Sequence, residues 1–282
     1  MDNYLIPKGY SDYIPTESKQ HSKLLQQLSN SYESHGFSLI TTPTVELVSS
    51  LEVAMAPNLR QQSIKFFDSH GQLVTLRPDH TVPIARIVST RMTSVPLPIK
   101  LYYQSPIFRQ PQQHHSHNIE TFQSGIEYIG ESSMLAEATI IQTCIDALTQ
   151  AGLDQFHIDI GHTDFIHGLN DSDQAALLNG DYFSLGYIPQ RGDIQSVGGH
   201  KQLERLHNYL NEFNLSHHVT YNKGLVKGIH YYTGTLFEIY TKDTKQIIAS
   251  GGRYDTLLNQ FGYNQPAVGL AFNLTLLLEQ LS

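Results

Sequence analysis

A single cysteine, no long apolar run and a small share of charged residues are the first things this sequence lacks. Cys144 has no partner for an intrachain disulfide and cannot build a multi-cysteine zinc site, so a reducing, cytoplasmic setting is expected. No apolar stretch is long enough to span a bilayer, and the N-terminus lacks the basic-then-apolar order of a secretion signal. There is no lysine-ending phosphate loop and no serine in a nucleophile elbow. Basic charge is scarce: 18 Lys+Arg stand against 26 Asp+Glu, a net charge of -8, which argues against a broad phosphate-binding face. Gly/Ser or Pro-rich linkers and internal repeats are missing too. The 282 residues therefore read as one large domain, or a core with an insertion.

What is present is a polar surface built from Ser, Thr, Asn, Gln, His and Tyr, and an alternation of helix-like and strand-like segments. Residues 16–35 carry an apolar stripe (Leu24, Leu25, Leu28, Tyr32), with Thr16 as the expected cap and Gly36 as the stop. Strands are expected over 37–42, then over 64–68 and 72–76 as a hairpin around Ser69, His70 and Gly71. A helix over 81–92, two strands over 99–109 and 119–129, and an apolar-striped helix over 132–151 follow. Cys144 falls inside that last helix and reads as a packed core thiol. A strand over 156–160 leads into a more polar, more helical stretch, about 162–214, which reads as an insertion. Strand character returns over 219–240 and 246–250, and residues 273–281 close as a helix. Hairpins with interspersed helices predict an α+β fold with a mainly antiparallel sheet.

Four segments hold residues suited to chemistry. In Leu76-Arg77-Pro78-Asp79-His80-Thr81, either Asp79 or Thr81 caps a helix, or both present a carboxylate and a hydroxyl to a pocket. In the strand over 119–129, Gln123, Gly125 and Glu127 share one face, which gives either a notch with polar walls or a solvent-facing strand. Arg109 is a site cation or a surface one. Between Gly224 and Glu238, glycines bracket Tyr231 and Tyr232, so aromatic walls of a site and ordinary β packing both fit. Ser250-Gly251-Gly252-Arg253-Tyr254-Asp255 permits close backbone approach to a ligand, or simply a tight turn. The histidines at 114, 115, 117, 217 and 218 lie in loops without a paired-His metal motif, so no metal site and no cofactor are expected.

Taken in order, LRPDHT, YYQSPIFR, ETFQSGIEYIG, GLVKGIHYYTGTLFEI, ASGGRYD and PAVGLAF resemble the catalytic core of histidyl-tRNA synthetase over nearly the whole chain. Residues 20–45 look like its first motif, which builds the class II dimer interface. The resemblance implies a class II synthetase-like core with a pocket for free histidine. Asp79 stands where an acid holds the α-ammonium, with Thr81 and Gln123 beside it. Glu127 stands where a carboxylate grips the imidazole, with Tyr231 and Tyr232 as the aromatic pair. Arg109 and Lys227 stand where cations face the amino-acid carboxylate and the α-phosphate. A zwitterion carrying an imidazole needs such partners, because its buried groups cost several kcal/mol if unpaired, on the order of magnitude known for buried polar groups.

The departures from that pattern matter equally. Asn273, Thr275 and Leu276 stand where the synthetases have a glycine, a glutamate and an arginine that clamps the ATP γ-phosphate. Lys227 replaces an arginine and lacks its planar fork. His230 replaces an acidic residue, and residues 110–118 keep none of the basic side chains expected to handle ATP and tRNA. No C-terminal anticodon-binding domain is expected after Ser282. A histidine pocket without ATP contacts resembles the regulatory subunits of ATP phosphoribosyltransferase. That implies a non-catalytic chain that pairs with a short-form catalytic subunit in a hetero-octamer, forms a self-dimer, senses histidine and binds no tRNA. A histidyl-adenylate-forming enzyme and a stand-alone histidine sensor are the alternatives.

Overall fold

The computed structural model describes residues 6–110, 118–226, 231–241 and 246–281. Helix α1 (Pro15–Ser34) buries Leu24, Leu28 and Tyr32, one stripe of its surface. Its start corrects the sequence expectation, since Thr16 lies inside the first turn. Pro15 occupies the first helical position, where its missing N–H costs nothing, and the Glu17 carboxylate accepts the Ile14 N–H at 3.0 Å. The strand expected over 37–42 is reduced to β1 (Ser38–Leu39), an edge pair with a single neighbour.

Next come β2 (Val45–Leu47), α2 (Val48–Leu51) and α3 (Pro57–Gln62). The hairpin β3 (Lys65–Phe67) and β4 (Leu73–Leu76) turns at Gly71, whose φ of 74° suits a residue without Cβ. Helix α4 (Thr81–Arg91) leads to the long hairpin β5 (Ile99–Phe108) and β6 (Glu120–Ile129). Helix α5 (Leu135–Ala151) precedes β7 (Phe156–His162). The polar stretch holds α6 (Asp171–Asn179), β8 (Arg191–Gly192), α7 (Ile194–Val197) and α8 (Lys201–Glu212). The chain closes through β9 (Val219–Asn222), β10 (Thr235–Thr241), β11 (Ile247–Arg253), β12 (Ala267–Asn273) and α9 (Leu274–Gln280).

Nine of these strands form one sheet in the order β1-β5-β6-β12-β11-β10-β7-β9-β8, antiparallel except at β1/β5 and β7/β9. A smaller antiparallel sheet, β2-β4-β3, stands beside it. Strand alternation gives the large sheet two unlike faces. Ile126 and Tyr128 of β6, Phe237 and Ile239 of β10, and Val268 and Phe272 of β12 pack under α1, α5, α8 and α9. Cys144 is buried in this core, and burial pushes its thiol pKa up. On the other face a second cluster joins Leu51, Val82, Ile84 and Val88 to Tyr103, Tyr254 and Leu257, and it leaves the middle of the sheet uncovered. No helix among the described residues is long and apolar enough to cross a membrane.

A buried ion pair ties the helical layer to the sheet. Arg253 at the end of β11 donates through Nε and Nη2 to the two oxygens of Glu137 in α5, each at 2.6 Å, and the Thr235 hydroxyl donates to the same carboxylate at 2.9 Å. Both partners are almost wholly shielded from water. Arg253 also reaches Asp255 through Nη1 at 3.1 Å, so it is removal of Arg253 that would leave the Glu137 carboxylate an uncompensated buried charge. Arg253→Met should lower stability by about 3–5 kcal/mol in urea denaturation, whereas Glu137→Leu combined with Arg253→Met, which removes both charges, should cost far less.

Candidate functional site

The uncovered middle of the sheet is a cavity of about 290 Å³. Its floor follows from strand register. Across the sheet, Tyr103, Gly125, Ala271, Ser250 and Glu238 are successive cross-strand neighbours, so small residues lie between a tyrosine and a carboxylate. In the adjacent row Glu127 faces Gly269, which faces Gly252. These glycines leave room that neighbours fill. A Cβ on Gly269 would collide with the Glu127 carboxylate, and one on Gly125 with the Tyr103 phenol. A Cβ on Gly252 would lie 3.0 Å from the Tyr232 ring.

The site is organised around Glu127, which is 1% exposed. Thr81 Oγ1 donates to its Oε1 at 2.9 Å and the Tyr254 hydroxyl donates to its Oε2. Burial pushes the Glu127 carboxyl up to about 8; the two hydroxyl donors oppose this, and the nearby Asp79 charge adds to it. Asp79 accepts the Val82 N–H at 3.0 Å, so it braces the start of α4 while also lining the cavity. His80, not Asp79, stands immediately before the helix, so Asp79 reaches a first-turn amide from one residue further back. Burial raises the Asp79 pKa, with the guanidinium of Arg109 acting against that rise. Arg109 is pinned through Nε to the Pro78 carbonyl at 2.6 Å and holds Nη2 3.9 Å from Asp79. Tyr231 and Tyr232 stack as a tilted pair, ring centres 4.5 Å apart, joined by a 3.4 Å hydroxyl contact.

Asp79, Thr81, Arg109, Gln123, Glu127, Tyr231 and Tyr232 all line this one cavity. Lys227 and His230 lie outside the described residues, as does the histidine cluster at 114, 115 and 117. Sequence reasoning missed Tyr254, Tyr103 and Glu238, which are lining residues as well. Tyr254 sits in the quoted SGGRYD segment, but its reach to Glu127 spans 127 positions and has no local signature. Tyr103 was legible only through its register opposite Gly125. His80 supports the site from below: it stacks on Tyr103 at 4.3 Å, and burial holds its pKa down to about 3, so it stays neutral.

The arrangement suits a small cation or zwitterion: two buried carboxylates, one guanidinium, hydroxyls and an aromatic wall. The residues after β12 point elsewhere. Asn273 caps α9 by accepting the Leu276 N–H at 3.3 Å, and the Leu276 side chain packs against the main core.

The model of the family described as histidyl-tRNA synthetase matches residues 9–183 and 184–277. A protein of Halothermothrix orenii named ATP phosphoribosyltransferase regulatory subunit is 30% identical over 310 residues, covering 95% of this chain and 74% of that one. A solved structure from Bacillus halodurans, titled an ATP phosphoribosyltransferase regulatory subunit/histidyl-tRNA synthetase, superposes with a TM-score of 0.88 at 27% identity, over 99% of this chain and 84% of that one. A histidine–tRNA ligase subunit from Alicyclobacillus acidocaldarius gives a TM-score of 0.83 at 25% identity, over 100% of this chain and 98% of that one.

The buried Glu127 carboxyl makes a prediction for the unliganded protein. Its ordinary value is 4.5 and its folded value is about 8, so between them the folded state holds a proton that the unfolded chain has released. The stability linked to this group is full below the unfolded value and is lost as pH rises through the folded one. Urea denaturation from pH 5 to 8.5 should show stability falling with pH, and Glu127→Gln should flatten that fall.

Proposed function

The chain belongs to the histidyl-tRNA synthetase-like family that includes the regulatory subunits of ATP phosphoribosyltransferase, and from that premise we propose that it is such a regulatory subunit. In this reading it binds free histidine, activates a short-form catalytic partner and relays feedback inhibition to it. The observation that carries the proposal is the contrast inside one fold. The pocket keeps its acids, hydroxyls and tyrosines, while Leu276, at the place of a phosphate clamp, is turned into the apolar core. Phosphoryl chemistry depends on positioned charge, so that loss argues for a chain that recognises without catalysing.

Within the pocket, Glu127 accepts the imidazole N–H of the ligand, Asp79 takes its ammonium with Thr81 and Gln123 beside it, and Arg109 faces its carboxylate together with Lys227. Tyr231 and Tyr232 close over the ring. Residues 1–282 act as one synthetase-like core, with about 162–214 inserted into it. No tRNA is bound. A self-dimer is supported by the exposed apolar side chains of the small sheet, among them Val45, Phe66, Phe67 and Leu73. The assembly with the partner contains four chains of each kind.

Histidine inhibits only by binding the inhibited and active assemblies with different affinities. Mixed with a short-form ATP phosphoribosyltransferase, the chain should form a stable complex whose activity falls on adding histidine. No association and no change in activity would overturn the proposal. Arg109, which lines the cavity, favours a second reading as a histidyl-adenylate former, and histidine-dependent pyrophosphate exchange above background would support it. Glu127→Ala leaves a ligand donor unpaired, so calorimetry should show histidine affinity reduced by roughly 10- to 150-fold, the range for a hydrogen bond to a charged group.

A further inference from the structure

Away from the cavity, three side chains from separate elements meet at the base of the polar stretch. His162 ends β7, Asp164 lies in the 3-10 turn Thr163–Ile166, and His200 stands immediately before α8. His200 Nε2 is 3.2 Å from Asp164 Oδ2, and His162 Nδ1 is 3.6 Å from the same oxygen. One ligand atom from each of the three lies within 4.8 Å of the others. The exposed His167 brings its Nδ1 within 3.6 Å of the other Asp164 oxygen.

We propose that His162, Asp164 and His200 form a binding site for one divalent transition-metal ion of the zinc class, with His167 or water completing the shell. His162 Nε2 lies 2.8 Å from Gln202 Oε1, an acceptor, so Nε2 carries the proton and Nδ1 the lone pair; the Asp164 N–H donates to that Nδ1 at 3.1 Å. That lone pair accepts the Asp164 N–H here, so an ion would bind in place of this hydrogen bond. In a tetrahedral zinc site with bonds of about 2.0–2.1 Å, ligand atoms stand about 3.3 Å apart. The two separations to Asp164 Oδ2, 3.2 and 3.6 Å, bracket that value. Gln202 is the outer partner that fixes the ring of His162, as such partners do in metal sites.

Two imidazoles and a carboxylate suit zinc, cobalt or nickel better than calcium or magnesium, which prefer oxygen alone. Asp164 and His200 are 36 positions apart, so an ion would join the end of β7 to the start of α8 and close the segment between them at its base. The plain competitor is a simple hydrogen bond between His200 and Asp164 with no metal.

The test uses untagged, chelator-treated full chain titrated with Zn²⁺ by calorimetry and with Co²⁺ by visible absorption. One Co²⁺ per chain with the strong visible bands of a tetrahedral complex is the expected result. Asp164→Asn, at a half-exposed position, and His200→Ala should each lower Zn²⁺ affinity by more than the roughly 10- to 100-fold expected for the outer-partner variant Gln202→Ala. Replacing His114, His115 and His117 together, or His217 and His218 together, should leave it unchanged. Circular dichroism of each variant confirms that it is folded. No uptake by the parent protein, uptake unaffected by both Asp164→Asn and His200→Ala, or uptake lost with the loop histidines would each overturn the proposal.

Discussion

The burial of one carboxylate in the middle of a β-sheet is the constraint on which the pocket depends. Glu127 keeps its place because Gly269, opposite it on β12, has no side chain to occupy that volume. Tyr254 and Thr81, from two further elements, then supply donors to its two oxygens. A carboxylate buried without such donors would cost several kcal/mol, roughly the penalty of an unpaired buried polar group. Everything nearby follows from that demand: the small residues along the floor, the tyrosines at the margin, and a first turn of α4 that aims Thr81 inward while Asp79 braces it. The same burial leaves Glu127 holding a proton at neutral pH in the unliganded state, poised to ionise when a positively charged partner enters.

Much of the architecture was legible in the sequence because it is written in local periodicity. The stripe Leu24, Leu28, Tyr32 marks α1, and the alternation through Gln123, Ser124, Gly125, Ile126 and Glu127 sorts pocket from core correctly. What local pattern does not encode is which distant strand lies alongside. Tyr103 and Tyr254 carry no local mark of the pocket: register places one opposite Gly125, and the turn after β11 brings the other to Glu127. Boundaries slipped for similar reasons. Thr16 is a good capping residue by type, yet Pro15 fixes the helix start one residue earlier. The strand expected over 37–42 shortened because only β5 is there to pair with it. His162 and His200 carried no spacing signal, since the turn and helix that unite them act over long sequence separation.

Charge is distributed economically in this acidic chain. Of its few cations, Arg253 is committed to Glu137 inside the fold, Arg191 clamps the buried Asp159 at 2.7 and 2.9 Å, and Arg86 pairs with Glu46. Arg109 is the one described cation among the residues lining the cavity. A pocket lined by three carboxylates, Asp79, Glu127 and Glu238, and one described guanidinium suits a small molecule with a positive centre better than a polyphosphate, which agrees with the net charge of the chain as a whole.

The place of β12 in the sheet has a further consequence, for the order of folding. It runs between β6 and β11, so the central strand pair joins residues 120–129 to residues 267–273, and the longest loop closure in the sheet is made at the pocket itself. Until β12 inserts, Glu127 has no Gly269 beside it, and the row from Tyr103 to Glu238 is broken at Ala271. Local hairpins such as β5–β6 form early, while contacts of this span form late. The cavity therefore comes into being only with the finished sheet, and a chain in which it is complete is by that fact a folded one.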